Sequence, residues 1–248
     1  MRFSFQSAAP GPARRLPQRS PLPRTKTVAT GAEYALARMG GDFFDFVELG
    51  AARLAFALFD FAGKRDQAME IAAAMQDVFR AQAPKLFAAD HGNDNEALGQ
   101  LVLLLNRAIL SAAGGAHHSP GFIGCLNELA GTVVYCNAGH TPGLLRHNSQ
   151  MDVLPANALP LGLFSHAIYE AEIRALPSGA ALLLVSRGLV ESKSRGEEYG
   201  LERLRAFVHN LEAGDAASFC RQVLDEVEEF THAPLLHNDV TAVALLRK

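Results

Sequence analysis

The chain has 248 residues, 49% apolar and 20% charged, a balance that supplies a sizeable core and excludes wholesale disorder or a fibrous repeat. Its longest apolar runs, Leu54 to Phe59 and Ala180 to Val185, fall far short of the roughly 20 residues a membrane helix needs. Three widely spaced cysteines (Cys125, Cys136, Cys220) form neither a CxxC pair nor a zinc pattern and fit a reducing, cytoplasmic setting.

The net charge of -3 is unevenly spread. Residues 1–32 hold six Lys or Arg and no acid, so the other 216 residues carry -9 (the total of -3 less +6). Five prolines, at 10, 12, 17, 21 and 23, would break an amphipathic targeting helix, and no apolar stretch follows the arginines as a secretion signal requires. Residues 1–27 therefore read as a disordered basic Pro/Arg-rich tail. Contact with nucleic acid or anionic lipid is the sharper reading of that charge and the less favoured one.

From Val28 onward the pattern is that of one domain, residues 28–248. Ala32–Ala37 and Asp45–Glu48 look strand-like on either side of Gly40-Gly41. Arg53–Asp60 is a continuous apolar strand, which predicts burial on both faces. In Arg65–Phe87 the apolar positions Ala68, Ile71, Ala72, Met75, Val78 and Phe79 recur at three and four, the helix period. A polar break at Asp90–Asn95 precedes a second helix, Glu96–Ala112, closed by Gly114-Gly115. Strands follow at Gly121–Asn127, Thr132–Ala138 and Gly143–His147, with a hairpin loop from Asn127 to Gly131. Ile168–Ala175 alternates, and Ala181–Ser186 is another buried strand. Leu201–Leu211 and Ala216–Thr231 read as helices and Val240–Arg247 as the last strand. Two strand-rich stretches, a helical pair between them and a helical pair near the end predict two helical layers around packed sheets.

Single features are weak guides to chemistry here. Gly40-Gly41-Asp42 lacks the acidic residue that a GGDEF cyclase motif places after the Asp. Gly63-Lys64 lacks both the upstream glycine and the following Ser/Thr of a P-loop. His117-His118 reads as a solvated loop pair, Cys125 and Cys136 as core residues, and the run Asp225, Glu226, Glu228, Glu229 as a solvated helix face. Five segments in register carry far more. They are Gly40-Gly41-Asp42-Phe43-Phe44-Asp45, Phe59-Asp60-Phe61-Ala62-Gly63-Lys64, Tyr135-Cys136-Asn137-Ala138-Gly139-His140-Thr141-Pro142, Leu159-Pro160-Leu161-Gly162-Leu163 and Asn238-Asp239-Val240-Thr241. Their order and spacing resemble the SpoIIE-like branch of the PPM-type, metal-dependent protein Ser/Thr phosphatases, over about residues 30–248.

That resemblance implies an α+β fold, an αββα sandwich of two antiparallel sheets flanked by helices. It implies hydrolysis of phosphoserine or phosphothreonine in bacterial signalling proteins, with a phosphorylated regulatory protein such as a STAS-domain anti-anti-sigma factor as partner. It also implies Mn²⁺ or Mg²⁺, hard ions that prefer carboxylate, carbonyl and water oxygen. In a two-metal site these ions activate water and neutralise phosphate charge. Carried over residue by residue, Asp42 and Asp60 are the catalytic carboxylates, both ligating metal, and the backbone carbonyl of Phe61 is a further ligand. His140 falls in what is chiefly a structural turn. Two ligand positions depart from the pattern: Arg187 stands where the family has the Asp of TDG, and Asn238 where it has the first Asp of DDvT.

Those two changes remove three units of negative charge from one metal subsite. A divalent ion beside a guanidinium is then unfavourable at any plausible dielectric. The resulting expectation is a domain with one metal site at most, possessing weak or no activity, in which Arg187 lies where the second metal would be and bonds Asp60 and Asn238. Asp239 is the one candidate compensating ligand, disfavoured because adjacent strand residues face opposite ways. The alternative is a non-catalytic pseudophosphatase that binds a phosphoprotein or partner. Calorimetric titration of the purified protein with Mn²⁺ is expected to show no more than one tight site per chain; two tight sites would contradict the charge argument.

Overall fold

Strand alternation sorts the core into three layers. The computed structural model describes residues 28–35, 41–50, 52–61, 65–88, 93–112, 118–211, 214–232 and 238–248. The tail at 1–27, residues 36–40, Gly63-Lys64, Asp90, Gly114-Gly115 and His117 lie outside them. One five-stranded antiparallel sheet runs in the order β2 (Asp42–Leu49), β3 (Arg53–Asp60), β4 (Gly121–Asn127), β5 (Thr132–Ala138) and β8 (Glu172–Ala175). The other runs β1 (Val28–Ala35), β12 (Val240–Arg247), β9 (Ala181–Val185), β6 (Gly143–His147) and β7 (Gln150–Leu154).

In β3 the even positions Leu54, Phe56 and Leu58 point between the sheets, where they meet Phe122, Tyr135, Leu182, Leu184, Val243 and Leu245. The odd positions Ala55, Ala57 and Phe59 point outward to α1 (Arg65–Phe87) and α2 (Asp94–Ala112). On the far side, Leu183, Val185, Ala242 and Ala244 meet α4 (Gly200–Asn210) and α5 (Ala216–Thr231). Burial on both faces explains why β3, β4, β5 and β9 read as unbroken apolar runs. Each fully buried large side chain contributes about 1.5–3 kcal/mol. The inner layer also stacks its rings, with Phe122 and Tyr135 centroids 5.2 Å apart. The architecture is the αββα sandwich expected from the sequence.

The differences from expectation lie at the ends and in short elements. β2 begins at Asp42, not Asp45, because it pairs with β3 over its whole length, from Asp42↔Asp60 to Leu49↔Arg53. β8 begins at Glu172, not Ile168. The preceding residues are held as coil on α2, where buried Asn106 accepts from Gly162 N–H (2.7 Å) and Tyr169 O–H (3.0 Å) and donates to the Phe164 carbonyl (2.9 Å). β7 is half exposed and only five residues long, too short for its alternation to mark a strand by itself; it pairs with β6 across a turn with Asn148 at φ 53°. The four residues of α3 (Arg187–Val190) are too few to show a period. A small hairpin of β10 (Lys193–Ser194) and β11 (Glu197–Glu198) turns at Arg195-Gly196, both with positive φ. Among the described residues no helix is long and apolar enough to cross a membrane.

Asp45, quoted above within the first motif, faces outward to α1 and away from Asp42. It is 2% exposed. Its carboxylate accepts from Arg80 Nε (2.7 Å), Arg80 Nη2 (3.2 Å) and Gln76 Nε2 (3.2 Å). This bidentate pair staples α1 to β2. Removing one partner strands a buried charge, so Arg80→Ala should cost about 3–5 kcal/mol in urea unfolding. The apolar double change Asp45→Leu/Arg80→Met should recover most of that loss.

Candidate functional site

The two sheets bring their polar ends together at one edge of the inner layer. Asp42 opens β2 and Asp60 closes β3, directly opposite each other. Both share the inward parity of Phe44 and Leu58. From the other sheet, Ser186 follows β9 in register with inward Leu184, and Asp239 and Thr241 stand in register with inward Val243. Hydrophobic alternation along four strands thus places five polar residues in one buried cluster. Asp42 is 5% exposed, Asp60 8% and Asp239 1%.

Asp42 is the hub. Its backbone N–H donates to Asp239 Oδ2 at 3.3 Å. The hydroxyls of Ser186 and Thr241 lie close enough to its carboxylate to favour the charged form, yet Oδ2 has no partner and no contact with solvent. Ser186 in turn accepts the Thr241 N–H at 3.0 Å. Although Ser186 sits at the N-cap of α3, its side chain makes no capping bond; the hydroxyl serves the sheet junction instead. Burial, opposed by those hydroxyls and reinforced by Asp60 and Asp239, pushes the Asp42 carboxyl up to about 7. Burial raises Asp60 as well, with Arg187 pulling the other way.

Arg187 lies over this cluster, its Nε 3.5 Å from Asp60 Oδ2 and 3.8 Å from Glu191 Oε1. The side chain is 53% exposed, so water screens the pair and its net worth is about 0–1 kcal/mol. The guanidinium balances charge without being locked in place, and it retains donors for an incoming anion. Asn238 is exposed. Asp239, disfavoured on the strand-face argument, is the residue that turns inward, and its carboxylate is engaged by the Asp42 N–H. Gly188 makes this junction possible: a Cβ there would lie 2.1 Å from the Asp239 carbonyl. Gly41 does the same on the other side, where a Cβ would meet Ala68 Cβ at 2.4 Å and the Phe61 carbonyl at 3.2 Å.

The floor of the site is a set of backbone bonds. Asp60 N–H donates to the Pro120 carbonyl (3.1 Å), the Ser119 hydroxyl to the Asp60 carbonyl (3.0 Å), and Ser119 and Leu161 exchange backbone bonds of 2.8 and 2.9 Å. Asn137 Oδ1 accepts the His140 N–H at 2.8 Å, shaping the turn. His140 Nδ1 is 3.2 Å from the Thr141 carbonyl, while Nε2 is buried without a partner. Burial holds this imidazole neutral, with its pKa lowered to about 4. Ser186, Thr241 and Ser119 were not singled out from sequence. Extending the parity of β9 and β12 past their apolar residues would have found the first two; nothing local marks Ser119.

A hard cation fits part of this set. The unpartnered Asp42 Oδ2 and the Asp60 carboxylate are oxygen donors of the right kind, with the Phe61 carbonyl beside Gly41 as a third. Among the described residues, however, no three His, Cys, Asp or Glu side chains are grouped as a metal site.

Paired antiparallel sheets, outer helix pairs and aspartates at one shared edge define a PP2C-like phosphatase fold. The family model for SpoIIE, stage II sporulation protein E, matches residues 50–248, and the chain belongs to that family. Similar solved structures include the RsbU and RsbW domains of Rv1364c from Mycobacterium tuberculosis, with TM-score 0.75 and 22% identity over 95% of this chain and 63% of that one. The PP2C phosphatase domain and regulatory fragment of SpoIIE from Bacillus subtilis gives TM-score 0.70 and 20% identity over 88% of this chain and 62% of that one. RsbX in complex with magnesium gives TM-score 0.65 and 13% identity over 92% of this chain and 99% of that one. The chain thus spans under two thirds of the first two structures. Comparison with curated protein sequences gives no match.

The raised Asp42 pKa fixes the sign of a pH effect. An aspartate raised from 3.8 to about 7 on folding favours the folded state below pH 4, and that contribution is lost as pH rises through 7. In chelator-treated protein, Asp42 should therefore contribute a fall in stability between about pH 4 and pH 7, by up to a few kcal/mol, against the rise that His140, lowered to about 4, contributes over the same range. Asp42→Asn should remove that fall, so that stability climbs more steeply with pH than in the native protein in urea unfolding at a series of pH values.

Proposed function

We propose that this chain is a SpoIIE-like phosphoprotein (Ser/Thr) phosphatase domain of cytoplasmic bacterial signalling in which one metal subsite has been lost, leaving weak or absent turnover. Membership of the SpoIIE family supports the reaction class. The loss rests on one observation: Arg187 Nε stands 3.5 Å from the Asp60 carboxylate. A permanent positive charge there competes directly with a divalent ion for the same oxygen.

Asp42, Asp60 and the Phe61 carbonyl would hold a single Mn²⁺ or Mg²⁺, which when bound supplies an activated water and neutralises phosphate charge. This chain's own groups do the rest. Asp239, Ser186 and Thr241 orient Asp42. Ser119 and Pro120 fix the backbone of Asp60. Arg187 offers a planar cation to a phosphate monoester at the mouth of the cluster. The partner is a phosphorylated regulatory protein of the STAS-domain, anti-anti-sigma type, a reading supported by likeness to RsbU and RsbX structures.

The half-exposed guanidinium also supports a second reading, a pseudophosphatase that binds a phosphoprotein without hydrolysing it, because Arg187 can contact phosphate without an activated water. Mn²⁺-dependent hydrolysis of p-nitrophenyl phosphate separates these possibilities. The native protein should be slow or inactive, and Arg187→Asp/Asn238→Asp should gain at least about tenfold, since metal activation is central to this chemistry. A native rate equal to that of the double variant would overturn the loss of the subsite.

A further inference from the structure

The outer edge of β8 carries a pattern that matches itself. β8 ends its sheet, and among the described residues no strand pairs with its outer side. Unpaired edges are templates for another strand. This one exposes Ile173 to 52%, and Ile168, just before the strand, to 84%. Ile168 borders a groove of about 600 Å³ with Leu103 and Tyr169, so the apolar surface extends beyond the strand.

Glu172 and Arg174 flank Ile173 and share the opposite face of the sheet. They bridge each other at 2.7 Å, both about 40% exposed, beside Tyr135. A twofold axis through Ile173 would align two antiparallel β8 strands so that Ile173 meets its own copy. The same register sets Glu172 opposite the partner's Arg174 and Arg174 opposite the partner's Glu172. Side chains directly opposite in an antiparallel pair lie about 4.5–5.5 Å apart at Cβ. The intrachain bridge then becomes one half of an alternating four-charge network. A strand with opposite charges at equal distances on either side of an apolar centre is complementary to itself in this way.

We propose that β8 is a homodimer interface, joining the β2-containing sheets of two copies edge to edge about a twofold axis at Ile173. The occupant is a second copy of this chain because the charge order satisfies itself under that symmetry, which is the requirement of an isologous contact. The inference is independent of the proposed activity.

Analytical ultracentrifugation of the full chain, from about 1 to about 300 μM, tests it. The native protein should show a reversible monomer–dimer equilibrium. Glu172→Arg sets Arg against Arg and Arg174→Glu sets Glu against Glu, so each variant alone should dimerise at least about tenfold more weakly. An equimolar mixture of the two variants restores opposite charges at both positions and should recover a dimer. That mixing result also separates a broken interface from a damaged fold, which circular dichroism of each variant checks directly. A native protein that stays monomeric throughout, single variants that dimerise like the native chain, or a mixture that stays monomeric would each overturn the proposal.

Discussion

Asp42 has to be held between two sheets, and most of the site follows from how that is done. Its carboxylate is buried, so leaving it unbonded would cost more than the surrounding apolar contacts return. The hydroxyls of Ser186 and Thr241 face it from the other sheet, and its own N–H reaches Asp239 across the gap. These contacts join the two sheets at the end that carries Asp42, Asp60 and Asp239. They also require α3 to approach β12 so closely that residue 188 has to be glycine. Even so, one oxygen is left without a partner. The cluster is therefore structurally complete and electrostatically unfinished, which is the condition in which a buried carboxylate is poised for a cation.

What completes it in this chain is an arginine. Asp60 and Glu191 both draw Arg187, but the side chain is too exposed for those pairs to contribute much to stability. Its effect is felt in the potential of the site. It opposes the burial that raises Asp60, and it helps keep His140 neutral. The contrast with Asp45 and Arg80, chemically the same kind of pair, is one of location. There the carboxylate is buried against a helix and bonded by two side chains at once, so the pair works as a staple. At Asp60 the partner stands at the surface and remains available to something else.

The backbone of Asp60 is positioned from further away. Asn106 on α2 holds the coil at Gly162 and Phe164. That coil pairs with Ser119 through Leu161, and Ser119 bonds the Asp60 carbonyl. The helical layer thus reaches the carboxylate cluster through a continuous chain of hydrogen bonds, although the buried apolar residues of α2 pack on the opposite side of the sheet.

Much of this was legible in the residues themselves. β3, β4, β5, β6, α1, α5 and β12 have the bounds expected, because burial on both faces writes long apolar runs and helix packing writes a period of three and four. Five motifs in order indicated the sandwich and drew attention to Asp42, Asp60, Asn238 and Asp239, and the family pattern between the last two of them drew attention to Arg187. Short elements such as β7 and α3 were not legible, since pairing with a neighbour and not local pattern makes them. Nor was the choice between Asn238 and Asp239. Adjacent residues face opposite ways, so sequence requires that only one turn inward; which one depends on the register in which β12 meets β1 and β9. Sequence alone determined that Arg187 and Asn238 stand where the resembled motifs carry Asp. Tertiary structure decided that Asp239 would face Asp42 and that Arg187 would stand against Asp60, because both outcomes depend on how the ends of separate strands are brought together.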